Sequence, residues 1–172
     1  HGFEVYNMLG GIVTWISAGY PIVHREVPKD YATIQAAINE ANEGDTIFVS
    51  SGTYCEQVVI NKTVGLVGED YENTLISGDG TQTILSIDSP NVNVTGFTIQ
   101  NGALGIYLNR NASSCIITNC KITNNSRGIS IESDNNLLRE NIISNNTEWG
   151  IEIFSGSPCP SCGYPTVLGN TV

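Results

Sequence analysis

The pattern Val92-x-Val94-x-x-Phe97-x-Ile99 returns 23 residues later as Cys115-x-Ile117-x-x-Cys120-x-Ile122 and 21 further on as Asn136-x-Leu138-x-x-Asn141-x-Ile143. A last copy, Pro165-x-Val167-x-x-Asn170-x-Val172, follows after 29 residues. A second signature, Gly-Ile-x-(Leu/Ile), starts at Gly105, Gly128 and Gly150, in steps of 23 and 22. Self-similarity at this period means a solenoid, because each unit buries its apolar side only by stacking on its neighbour. One strand pair per repeat, with no room for crossover helices, predicts a parallel coil whose rungs lie about 4.8 Å apart. The period of two then sends Ile106, Ile129 and Ile151 inward and Tyr107, Ser130 and Glu152 outward as one stack. Asn109, Glu132 and Phe154 form the next outward stack. Cys115, Cys120, Asn136 and Asn141 face the interior with Ile117, Ile122, Leu138 and Ile143, since a one-residue slip would bury Lys121.

Upstream, Asp30 reads as the N-cap of an amphipathic helix over 30–41, whose Ile34, Ala37, Ile38 and Ala41 share one face. This helix is expected to cap the N-terminal mouth of the coil. Short strands follow at Thr46–Val49, Val58–Ile60, Val64–Val67 and Thr74–Ser77, and His24–Lys29 reads as a linker. The length of 172 residues suits one domain. A formal net charge of −10 argues against nucleic acid and anionic membrane as partners. Of the 19 asparagines, 14 fall within 91–172, so the repeats are compositionally distinct from what precedes them.

Tyr31-Ala-Thr-Ile-Gln-Ala-Ala-Ile38, Gly44-Asp-Thr-Ile-Phe-Val-Ser-Ser-Gly-Thr-Tyr54, Val64-Gly-Leu-Val-Gly68 and Ile76-Ser-Gly78 resemble the opening of a right-handed parallel β-helix of the pectin-lyase-like class. The Asn-rich repeats resemble those of NosD-like and carbohydrate-associated surface proteins, including β-helix surface proteins of methanogenic archaea. The resemblance implies an all-β fold, a right-handed parallel β-helix over 25–172 with an N-terminal capping α-helix, and a secreted or cell-surface location, with the periplasm as alternative. Residues 1–24 resemble the C-terminal tail of a rhodanese-like domain: a strand, Gly10-Gly11, Trp15 and Gly19-Tyr-Pro21 in order. No cysteine precedes Cys55, so the sulfur chemistry of that family has no carrier here. The chain reads as a segment of something longer, without a signal peptide of its own and with further domains at both ends.

The fold class hosts lyases, hydrolases, esterases and non-enzymatic adhesins, so function rests on sites. Sugar-active enzymes use paired carboxylates, and Glu132 and Glu152 are the pair that the outward columns bring near each other diagonally. A solvated acidic face is the plainer account of both. Arg110, Arg127 and Arg139 fall in or beside turns, away from a carboxylate cluster. Tyr107, Trp149, Phe154 and Tyr164 gather near one edge of the Gly-Ile strands and suit sugar rings, or turn packing. Cys159-Pro-Ser-Cys162 is a disulfide clip, half of a metal site or a redox pair, in that order; a metal there is the sole cofactor the sequence suggests. Five Asn-x-Ser/Thr sequons begin at Asn61, Asn93, Asn111, Asn124 and Asn145. The combined expectation is a structural or carbohydrate-binding module with a polysaccharide or other surface component as partner. A polysaccharide lyase or hydrolase and a NosD-like copper accessory are the rivals.

Overall fold

The computed structural model describes residues 25–154 and 165–170. Strand β1 (Arg25–Val27) and helix α1 (Ile34–Glu40) precede a first full rung of β2 (Thr46–Val49), β3 (Gly52–Tyr54) and β4 (Val58–Ile60). The second rung is β5 (Gly65–Gly68), β6 (Thr74–Ser77) and β7 (Thr83–Ile87); the third is β8 (Asn93–Thr95), β9 (Thr98–Gln100) and β10 (Leu104–Leu108). The fourth comprises β11 (Ile116–Thr118), β12 (Lys121–Thr123) and β13 (Arg127–Ile131), and the fifth β14 (Leu137–Arg139), β15 (Ile142–Ser144) and β16 (Trp149–Ile153), with β17 (Thr166–Leu168) after it. Like strands stack in parallel into three sheets. Sheet 1 runs β1-β2-β5-β8-β11-β14-β17, sheet 2 β3-β6-β9-β12-β15, and sheet 3 β4-β7-β10-β13-β16.

Each rung thus has three strands where a pair was expected. The pattern Val94-x-x-Phe97 wraps a corner, and a single left-handed residue makes each turn: Gly96 at φ 81°, Asn119 at 49°, Glu140 at 57° and Gly169 at 61°. The inward spacing survives the corner, so the sequence pattern runs through it unbroken. The other two corners use Asn91, Ser114 and Asn135, and Asn101, Asn124 and Asn145, all at positive φ. Asparagine tolerates this region better than most side chains, which accounts for part of the Asn enrichment.

The residue after each corner points inward and accounts for more of it. Cys115 N–H donates to Asn136 Oδ1 at 2.8 Å, Cys120 N–H to Asn141 Oδ1 at 3.0 Å, and Asn141 N–H to Asn170 Oδ1 at 2.8 Å. At the third corner Gly102 N–H donates to Asn125 Oδ1 at 2.9 Å and Asn125 N–H to Asn146 Oδ1 at 3.1 Å. The amide NH₂ groups return to backbone carbonyls, Asn141 to Ile117 at 2.9 Å and Asn170 to Leu138 at 3.0 Å. Asn136 and Asn141 are therefore buried, as the register requires, and paired. These ladders satisfy the corner N–H groups that no sheet can reach, while Ile99, Ile106, Ile117, Ile122, Ile129 and Leu138 fill the space between the sheets.

Cys115 and Cys120 occupy ladder positions and keep only part of the function. The Cys120 thiol lies 3.9 Å from the Val94 carbonyl, where Asn141 makes its 2.9 Å bond one rung later. Burial pushes the Cys120 thiol up to about 12 and raises that of Cys115, so neither presents a thiolate near neutral pH. In the native protein, exposed Cys55 is expected to react promptly with a thiol reagent, and Cys115 and Cys120 only when the coil opens. Peptide mapping of a short labelling pulse checks this; prompt modification of either buried thiol contradicts the register.

The expected linker contains a strand: β1 pairs with β2, and Arg25 Nε bonds Asp45 Oδ2 at 3.0 Å and places a second nitrogen on the Tyr31 hydroxyl. The helix also starts later than expected. Thr33, not Asp30, is its N-cap, with Oγ1 accepting from Ala36 N–H at 3.1 Å, while Asp30 accepts from Glu26 N–H inside the preceding turn. Both Glu56 carboxylate oxygens receive N–H groups of the first turn, from Ile34 and Gln35 at 3.0 Å each, and Lys62 donates to the Asn39 and Ala41 carbonyls at the other end. Ile34, Ala37 and Ile38 are buried beneath it. The Gln35 side chain then imitates a strand: its Oε1 accepts from Val59 N–H at 2.7 Å and its Nε2 donates to the Val59 carbonyl at 3.2 Å. The helix thus covers the first edge of sheet 3 as well as the apolar mouth. Residues 1–24, where the rhodanese-like tail is expected, lie outside the described residues.

Candidate functional site

The outward side chains of sheet 3 are set by its register. Val59, Ser86, Tyr107, Ser130 and Glu152 are aligned on successive strands, which places Tyr107, Ser130 and Glu152 in the column expected of them. Just beyond the strand ends, Asp88, Asn109, Glu132 and Phe154 recur one per rung. Adjacent rungs are joined by polar contacts: Asp88 Oδ1 accepts from Ser86 Oγ at 2.9 Å and from Asn109 Nδ2 at 2.8 Å. Arg110 Nε reaches Glu132 Oε2 at 3.2 Å, a contact with a single carboxylate. The pair is exposed and adds little stability; its effect is to orient Glu132. Burial, followed by the neighbouring Glu132 carboxylate, raises the Tyr107 phenol above its ordinary range, and the group stays protonated at neutral pH.

Glu132 and Glu152 lie on successive rungs of this face. Their surroundings differ: Glu132 is held by Arg110, whereas Glu152 Oε2 is shielded from solvent and has no hydrogen-bond partner among the described residues. Trp149 opens β16 and Phe154 follows it; they are 48% and 46% exposed on the last full rung, where the inward Ile153 is 45% exposed as well. Tyr107 is half-buried two rungs earlier. Tyr164, Cys159 and Cys162 lie outside the described residues. Among the described residues no group of three His, Cys, Asp or Glu side chains is placed to hold a metal ion.

The glycines of the Gly-Ile signature explain how the face is carried. A Cβ on Gly105 would lie 2.8 Å from Ile122 Cγ2 and 2.9 Å from Asn125 Nδ2, so the ladder asparagine takes the volume that the glycine gives up. In the second rung the exchange is reversed: Ile84 stands at the Gly105 position, and Gly78 and Gly102 make room for it. The second rung therefore lacks the signature. Asp88 and Ser86 escape the sequence pattern for this reason, although Asp88 lies 21 residues before Asn109 and in step with it.

The family model describing the right handed beta helix region matches residues 32–172. The chain belongs to the right-handed β-helix family. A cell surface glycoprotein of Methanothermus fervidus is 32% identical over 113 residues, covering 63% of this chain and 18% of that protein. The β-helix also superposes on an alginate lyase from a Paenibacillus species with a TM-score of 0.68 at 19% identity, covering 80% of this chain and 54% of the lyase. A pectin methylesterase from Aspergillus niger gives a TM-score of 0.51 at 18% identity, over 78% of this chain and 56% of the esterase. At these identities the solved structures establish the shared coil and nothing of its chemistry. The chain spans less than a fifth of the glycoprotein and about half of the lyase.

Proposed function

We propose that this β-helix is a module of a cell-surface protein that binds neutral polysaccharide along the outer face of sheet 3. The observation that carries the reading is that sheet 3 bears Tyr107 on the third rung and Trp149 and Phe154 on the fifth, together with Asn109, Arg110 and Glu132, so that aromatic surface and hydrogen-bonding groups are combined along it. A glycan chain presents the complementary alternation of C–H faces and hydroxyls. Likeness to a cell surface glycoprotein supports the location. Charge selects the ligand class: Asp88, Glu132 and Glu152 outnumber Arg110 and Arg127 on this sheet, and the whole chain carries −10, so a uronate polymer meets repulsion.

Affinity electrophoresis and calorimetry with neutral glucans and mannans, and with alginate and polygalacturonate, test the reading. Binding to a neutral chain should weaken about tenfold in Tyr107→Ala and in Trp149→Ala, the scale of one lost aromatic contact. Unchanged binding in the double variant removes the face from consideration. Release of reducing ends or unsaturated products, abolished by Glu152→Gln, would replace the binding module by an enzyme.

A further inference from the structure

The sequons divide by position in a way the sequence does not reveal. Asn61 follows β4 and Asn111 follows β10, both at the corner between sheets 3 and 1. Asn124 follows β12 and Asn145 follows β15, both at the corner between sheets 2 and 3. These four are exposed, and no side-chain hydrogen bond engages their amides among the described residues. The contrast with the ladder is direct, since Asn125, Asn136, Asn141, Asn146 and Asn170 spend theirs on the backbone. Positive φ explains the asparagines at 124 and 145, but it does not explain the hydroxyls two residues on. Ser113, Ser126 and Thr147 have no side-chain partner among the described residues either, whereas Thr63 of the Asn61 sequon donates its hydroxyl to the Pro90 carbonyl at 2.8 Å. Asn93 differs. It lies within β8 on sheet 1, aligned between Gly65 and Ile116, and its Oδ1 is shut off from solvent.

We infer that N-glycans attach along the two corners bordering sheet 3, at Asn61 or Asn111 on one side and at Asn124 or Asn145 on the other, and that Asn93 stays unmodified. The corner between sheets 1 and 2 carries no sequon in the described rungs. The glycans would line both margins of sheet 3 and leave that third corner bare for packing against protein. Asn124 and Asn145 are on adjacent rungs about 4.8 Å apart, so one occupied site crowds the other. This inference does not depend on polysaccharide binding.

The test is secretion of the full chain behind a cleavable leader from a host that attaches glycans to Asn-x-Ser/Thr, followed by glycopeptide mass spectrometry. The expected result is a glycan on at least one sequon of each corner and none on Asn93. Modification of Asn93, or an unmodified corner on either side, overturns the inference. A variant combining Asn61→Gln, Ser113→Ala, Ser126→Ala and Thr147→Ala should lose all added mass while keeping the circular dichroism of the parent. Retained glycan in that variant would also overturn it.

Discussion

Asn141→Ala is expected to lower the stability of the coil by about 3 kcal/mol, among the largest effects available to one polar side chain. The side chain accepts from Cys120 N–H at 3.0 Å and donates to the Ile117 carbonyl and to Asn170 Oδ1, each at 2.9 Å. Truncation leaves a buried donor and a buried acceptor unpaired, and each costs roughly 1–3 kcal/mol. The corner has no sheet neighbour to take over. Urea unfolding should show a lower midpoint with an unchanged slope, the sign of lost stability in an intact two-state fold. The adjoining residue supplies the control. Glu140 holds φ at 57°, where Gly96 and Gly169 stand in the same corner column. Glu140→Gly should therefore be neutral or stabilise by up to about 1 kcal/mol, because a strained backbone is released. Equal losses from both substitutions would mean that the ladder is not the source.

Deletion of residues 30–43 is expected to make the chain aggregate. Three consequences coincide: Ile34, Ala37 and Ile38 no longer cover the first rung, Glu56 and Lys62 lose the helix ends they hold, and Val59 loses the paired amide of Gln35. An uncovered parallel edge above an apolar mouth is a template for other strands. Light scattering across a concentration series reads the outcome. A monomeric, soluble deletion at every concentration would contradict the capping role. Gln35→Ala alone should keep the fold and weaken only the edge, since the apolar face of the helix remains.

How much of this was legible depended on whether the determining contact was periodic. Isoleucine at 117, 122 and 129 announced its inward direction because the same physics recurs every rung. The buried Asn136 and Asn141 followed from their register with Val92, Phe97 and the two cysteines, since a one-residue slip would bury Lys121. The third strand was hidden because a one-residue corner such as Asn119 leaves the spacing of inward side chains intact. The helix start at Thr33 was hidden too, since the groups that hold it include Glu56, more than 20 residues away in sequence. In the site, Tyr107, Glu132 and Glu152 were found through their column. Asp88 was missed because Ile84 replaces the expected glycine, and the Arg110 contact because it joins two rungs through flexible side chains.

The corner bonds also bear on how long such a protein lasts. Asn101-Gly102 is the chain's one Asn-Gly pair, and Asp79-Gly80 its one Asp-Gly pair. These dipeptides age fastest when the glycine nitrogen is free to attack the preceding side-chain carbonyl and close a succinimide. Here Gly102 N–H is held by Asn125 Oδ1 at 2.9 Å and Gly80 N–H by the Asn101 carbonyl at 2.7 Å. An attack must first break a bond that the stacked rung supplies. The coil thereby slows its own chemical clock at its two most perishable peptide bonds. Asn125→Ala should restart the clock at Asn101, seen as a one-dalton gain on prolonged incubation; equal ageing in parent and variant would refute this protection.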